Sequence, residues 1–80
     1  MRPRIRPSTR DLLHRARVTG SRVAVLYVGA NAQAHHREGR VAAIQGSRLI
    51  LDYLDPTGTP RRAGFDVANP DDVLAVEPVR

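Results

Sequence analysis

Two seven-residue apolar segments restrict the folds open to this chain more than any other feature. RVAVLYV (residues 22–28) and RLILDYL (residues 48–54) place apolar side chains on both faces of an extended strand. This pattern is typical of strands buried in a barrel or sandwich. The chain has only 80 residues, so both segments must pack in the core of one small domain.

Three weaker segments predict further strands, at residues 39–45, 61–67 and 73–77. Strong turn sequences separate them. Gly46 lies where a tight hairpin needs a positive φ, DPTGTP (residues 55–60) combines proline with glycine, and NPDD (residues 69–72) predicts a turn. GANAQAHHRE (residues 29–38) is expected to form a loop between the first two strands.

A helix is predicted ahead of the strands. The prolines of residues 1–7 forbid helix there and leave an extended basic arm. Ser8 is the expected N-cap, with Asp11 in a capping-box-like position. The helix is expected over residues 9–18, and Gly20 supplies its stop.

The predicted fold class is therefore mainly β, with an N-terminal α-helix and a five-stranded antiparallel small barrel of SH3-like or Sm-like type. Sequential short strands usually close into such a barrel because closure removes exposed edges. The domain is expected to span residues 8–80 after the arm of residues 1–7. The alternative is an open, curved sheet with the helix covering one face.

The charge of the chain is distributed unevenly. All 13 basic residues are arginine, whose planar guanidinium suits phosphates and carboxylates. Residues 1–22 carry seven arginines and one acid, whereas residues 23–80 carry six arginines and seven acids. A basic arm beside a near-neutral body favours an anionic partner, although a solvated tail that promotes solubility is an equal alternative.

Nucleic-acid binding is the sharper hypothesis because phosphates need clustered cations. The candidate contacts lie on the arm, one helix face, the 29–38 loop with its flank, and the fourth strand. They are Arg2, Arg4, Arg6, Arg10, Arg17, His35, His36, Arg37, Arg40, Arg61 and Arg62.

Aromatic residues, which single-strand binders use as stacking platforms, are scarce in this chain. Tyr27 and Phe65 are expected in the core, and Tyr53 is expected to be partly exposed. The shortage predicts backbone-dominated, sequence-tolerant contacts to DNA or RNA.

A metal site and a cofactor are not predicted. Zinc needs three or four converging ligands. His35 and His36 would point to opposite sides of an extended segment, and His14 would lie on the outer helix face.

Catalysis is not predicted either. The chain has no cysteine, and Ser8 and Ser47 are better explained as a cap and a turn residue. Acids such as Asp71 and Asp72 fall in turns, and no phosphate-cradling glycine motif is present.

DLLHRARVTGSRVAVLY (residues 11–27) and GSRLILDYLDPTGTPRRAGFDVANPDDVLAV (residues 46–76) resemble the WYL domain of bacterial regulators. The resemblance implies an Sm-like barrel with a helix at its start and a regulatory role in sensing a nucleic acid or nucleotide-like ligand. The family's namesake Trp-Tyr-Leu would fall near Arg48-Leu49-Ile50, so its first two residues do not match. A bare Sm-like RNA-binding protein is an equally open comparison.

These observations predict a small, non-enzymatic bacterial regulatory protein that binds DNA or RNA through arginines. The alternative is a protein-interaction or ligand-sensing module of WYL-like type. Homo-oligomerisation is expected because one small core has a thin stability margin. No apolar run reaches the length of a membrane span and no secretory signal is recognised, so a cytoplasmic location is expected.

Overall fold

The computed structural model describes residues 6–79, which form one helix followed by five antiparallel strands. The elements are α1 (Pro7–Thr19), β1 (Arg22–Val28), β2 (Ala34–Gln45), β3 (Arg48–Leu54), β4 (Pro60–Asp66) and β5 (Val73–Pro78). The strand order in the sheet is β4-β3-β2-β1-β5. The expected mainly-β class with an N-terminal helix is therefore confirmed. Arg2 and Arg4 lie outside the described residues, as does most of the predicted arm.

The sheet is not closed into a barrel, so the prediction of closure was wrong. β4 and β5 are its two edges. The helix supplies a physical reason, because Leu13 and Ala16 are buried against the apolar face of the sheet. β5 ends at Pro78, which cannot donate a ladder hydrogen bond. The open sheet with a covering helix, the alternative that the sequence left open, describes the structure.

The core lies between α1 and one face of the sheet. It consists of apolar side chains from the helix and from β1, β2, β3 and the start of β5. These residues are Leu13, Ala16, Val23, Val25, Val41, Leu49, Leu51 and Val73. The other face of the sheet has no covering element among residues 6–79, and Leu26 and Leu54 are exposed.

α1 begins at Pro7, ahead of the predicted start at residue 9. Arg6 is the N-cap without a side-chain hydrogen bond, and Pro7 occupies the first turn. Proline suits this position because its fixed φ matches the helix and its missing N–H is not needed. Ser8 is therefore not the cap. Gly20 closes the helix in the left-handed conformation, as predicted.

β2 begins at Ala34 rather than at residue 39, because part of the expected 29–38 loop is strand. Ala34 to Arg40 pair with β1 in continuous register, which places Tyr27 opposite His35 and Val28 opposite Ala34. The remaining loop is tight, with the Gly29 amide donating to the Gln33 carbonyl at 2.9 Å. The polar HHRE sequence carries no apolar alternation, so its strand conformation depends on pairing with β1.

β2 is shared between two groups of strands. Its first half pairs with β1, its second half pairs with β3, and Arg40 has a partner on each side, Arg22 and Asp52. Before Arg40, the edge of β2 that faces β3 has no strand partner in the described part of the chain. The two strands therefore diverge at this point.

Gly39 permits the close contact at which the strands diverge. A Cβ on Gly39 would overlap the backbone carbonyl oxygen of Asp52 and would lie 3.0 Å from Leu51 Cγ. Backbone atoms cannot move aside as the end of a long side chain can. Glycine is therefore required here by the approach of β3.

We expect Gly39→Ala to lower the free energy of unfolding by about 1–3 kcal/mol, the usual effect of overpacking. Gly64→Ala is the matched control in β4, because the three atoms nearest to a Cβ there all belong to the movable guanidinium of Arg48. Urea unfolding of both variants measures the difference. Equal stability of the two variants would show that the contact between Gly39 and Asp52 is not tight.

Candidate functional site

The register divides the predicted contact residues between the two faces of the sheet. Directly opposed residues share a face. Arg37 faces buried Val25, so Arg37 and its neighbour two positions away, His35, project from the face that carries the core. Arg40 lies opposite Asp52, and Asp52 lies opposite Arg62, so these three share the outer face.

A hollow opens where β2 and β3 diverge, and we call it the arginine cleft. Five arginines and three carboxylates line it. His36 and uncharged residues of β2, β3, the turn between β3 and β4, and the start of β4 complete the lining. The charged residues are Arg22, Arg37, Arg40, Arg61, Arg62, Glu38, Asp52 and Asp55. Four of the arginines were predicted contact residues, and the structure brings them together. Arg22 was missed because only its pairing with Arg40 places it there.

Two of the arginines are paired with carboxylates. Arg62 Nε donates to Asp52 Oδ1 at 2.8 Å, and Arg61 Nε donates to Asp55 Oδ2 at 3.0 Å. The hydrogen bond from Arg62 to Asp52 raises the pKa of Arg62 above its ordinary value. Both guanidinium groups are largely exposed, so solvent screens these pairs and they contribute little to stability.

Arg22 and Arg40 differ from those two arginines. They are direct cross-strand neighbours, and within residues 6–79 no carboxylate oxygen lies within 4.0 Å of either guanidinium. Like charges directly opposite each other in a sheet are destabilising. An anion bound between the two side chains would relieve this repulsion.

Arg37 is held by aromatic rings. Its guanidinium carbon lies 4.1 Å from the centre of the Tyr53 ring, and Nη2 donates to the Tyr27 hydroxyl at 3.1 Å. The His35 ring stacks on Tyr27, with centroids 5.6 Å apart and an angle of 27° between the planes. The Phe65 ring packs on the Tyr27 ring, with the two centroids 5.0 Å apart. We call these five residues the aromatic cluster.

The sequence did not reveal the aromatic cluster. Tyr27 and Phe65 were expected in the core, and both are half-buried against it. His35 and Arg37 were assigned to a loop, which hid their alignment with Tyr27. A strand assignment beginning at Ala34 would have shown the pairing of Tyr27 with His35.

The predicted contact residues of the helix face and of the end of the arm do not join the cleft. Arg6, Arg10 and Arg17 are exposed, as is His14, and in the described part of the chain none of them lines the cleft. α1 contacts the sheet through its opposite side, which carries Leu13.

No metal-ligand group is found among residues 6–79, because no three histidine or acidic side chains converge there. Asp71 and Asp72 take part in the turn before β5. The Asp71 amide donates to Asn69 Oδ1 at 3.0 Å, and Asn69 Nδ2 donates to Asp72 Oδ2 at 3.1 Å.

Residues 6–79 contain no helix with the length and apolar character of a transmembrane segment.

Comparison with known proteins assigns no relationship. No protein-family model matches the chain. A search of curated proteins finds no significant match, and no solved structure is significantly similar. The WYL-like resemblance therefore stays a prediction.

Asp55 organises the turn that forms one wall of the cleft. Oδ1 accepts hydrogen bonds from the Thr57 hydroxyl and from the amides of Thr57 and Thr59, while Oδ2 accepts from Arg61. The Thr57 hydroxyl is the largest cause that lowers the pKa of Asp55, followed by the Thr59 amide and Arg61. Together they lower this pKa from 3.8 to about 2. The ionised carboxylate therefore holds Arg61 and the turn in place.

The stabilisation by Asp55 is present above its ordinary pKa and is lost as pH falls through its folded value. We expect the melting temperature of the protein to exceed that of Asp55→Asn by a constant amount at neutral pH. This difference should shrink between about pH 4 and pH 2. Thr57→Val removes the largest cause and brings the folded pKa of Asp55 closer to its ordinary value, so the difference should be smaller and its decline should end at higher pH. A difference in melting temperature that does not vary between about pH 4 and pH 2 would contradict the stabilising role assigned to the ionised Asp55 carboxylate.

Proposed function

We propose that the protein is a non-enzymatic regulatory protein that binds nucleic acid by seating phosphates in the arginine cleft. The observation that carries the proposal is the pair Arg22 and Arg40, two cross-strand cations whose guanidinium groups have no carboxylate oxygen within 4.0 Å among residues 6–79. Arginine is suited to phosphate because its planar fork can donate two parallel hydrogen bonds.

The charge balance of the cleft supports an anionic ligand. Five arginines face three carboxylates there, and two of those carboxylates are occupied by Arg61 and Arg62. Arg22, Arg40 and Arg37 keep their charge available. Three spaced cations suit a polymer of phosphates, which carries charge at regular intervals.

The element order supports a likeness to the SH3-like or Sm-like small barrels. A helix, five sequential antiparallel strands and a short turn before the last strand suit an opened relative of the SH3-like or Sm-like small barrels. A WYL-like role in sensing a nucleotide-like ligand would use the same cleft, since the chemistry of the bound phosphate is shared.

We expect the double variant Arg22→Gln/Arg40→Gln to weaken binding to every nucleic acid tested. It should also reduce the slope of log affinity against log salt by about 1–2, roughly one unit for each phosphate that no longer has an arginine beside it. Fluorescence anisotropy at two or more salt concentrations, with single- and double-stranded DNA and RNA, measures both quantities.

Arg10→Gln/Arg17→Gln is the matched control, because it removes the same charge from the exposed helix face. This control should keep most of the affinity. An equal decrease in both double variants would assign the binding to overall charge or to the helix. No binding of the unaltered protein to any of the four nucleic acids at low salt would exclude the proposed function.

Self-association is a second candidate, favoured by the open edges of the sheet. β4 and β5 each have one unpaired side in the described structure, and Leu74 on β5 is 51% exposed. Unprotected edges can pair with another strand.

We expect the sedimentation coefficient to rise with protein concentration. Leu74→Lys should abolish this rise, because a lysine on an edge strand blocks pairing. A monomer at every concentration would exclude this candidate.

A further inference from the structure

We infer that the aromatic cluster is a base-stacking site, and that the ligand of the arginine cleft is therefore single-stranded nucleic acid. This inference rests on the proposed function and makes it more specific. His35 and Arg37 are the residues that would contact the base. Tyr27, Phe65 and Tyr53 would support them from below.

The cluster continues the cleft. Arg37 and Tyr53 line the cleft and also belong to the cluster. A strand whose phosphates lie beside Arg22 and Arg40 would therefore place its neighbouring bases near the other side of β2. A polymer with alternating charged and flat groups fits this combination, whereas free phosphate would use the arginines alone.

His35 forms the exposed end of a stack. Phe65 packs on Tyr27, and Tyr27 stacks on His35, while the His35 side chain remains exposed to solvent. The imidazole lies so close to Gly29 that a Cβ at that position would overlap it. Contacts with Gly29 and with the Tyr27 ring therefore restrict the imidazole before any ligand arrives, which lowers the entropic cost of binding.

Arg37 adds a cation to this flat surface. It is half-buried, and among residues 6–79 no carboxylate lies within salt-bridge distance of it. The Tyr53 ring and the Tyr27 hydroxyl hold the guanidinium in place without neutralising it. A positioned arginine can both stack on a base and bind a phosphate.

The ligand has to be single-stranded because the faces of bases within a duplex are covered by their neighbours. An unpaired base can turn its face toward an aromatic ring, and such stacking tolerates different sequences. A cluster that served only to seal the open end of the core would not require an exposed imidazole or an unneutralised guanidinium. Apolar side chains would serve that purpose without the cost of partly burying a charge.

The test compares three probes that differ in their bases: a short single-stranded DNA, its abasic counterpart with the same number of phosphates, and the matching duplex. We expect the unaltered protein to bind the base-containing strand more tightly than the abasic strand. His35→Ala should weaken binding of the base-containing strand by about tenfold, the usual effect of removing one stacking platform, and should leave abasic and duplex binding unchanged.

His14→Ala is the matched control, because it removes an exposed histidine from the helix. His35→Phe keeps an aromatic ring and should retain the preference for bases, which separates stacking from a defect in folding. Tyrosine fluorescence supplies a second readout. The chain contains two tyrosines and no tryptophan, and both tyrosines belong to the cluster.

Equal binding of the base-containing and abasic strands would overturn the inference and leave the proposed function standing. An equal effect of His35→Ala on all three probes would likewise overturn the inference and leave the proposed function standing. If none of the probes binds at low salt, both the inference and the proposed function are wrong.

Discussion

The rest of the structure depends on the close approach of the Gly39 backbone to the Asp52 carbonyl. At this contact β2 leaves β1 as its main partner and joins β3, and only Arg40 is paired with both. A side chain on residue 39 would force the strands apart. Because Gly39 lacks one, β2 and β3 can approach closely here, and the strands diverge on one side of this contact.

The strand register around this contact also determines where the charges lie. Side chains alternate along β2, so Arg40 joins Arg22 and Asp52 on the outer face, whereas Arg37 projects from the core face beside Tyr53. The divergence of the strands makes both faces accessible from one cleft. The fold therefore brings the arginines of the proposed phosphate site and the aromatic cluster together on one small domain.

Much of this architecture could be predicted from local patterns. The bounds of β1 and β3 agree with the apolar segments, and Gly46 adopts a positive φ in its turn. The first half of β2 could not be predicted, because its polar sequence gains strand structure only from β1. The prediction of barrel closure was also wrong, because closure depends on whether the edges β4 and β5 meet once α1 has covered the core. The aromatic cluster required the register between Tyr27 and His35.

The central claim is that nucleic acid binds where β2 and β3 diverge, and amide chemical-shift mapping by NMR tests it most directly. Titration with a short single-stranded oligonucleotide should shift the amides around Arg37, Arg40 and Asp52, with the side-chain signals of Arg22 and His35. The amides of α1 should change little. Shifts confined to α1, or an unchanged spectrum at low salt, would contradict the claim.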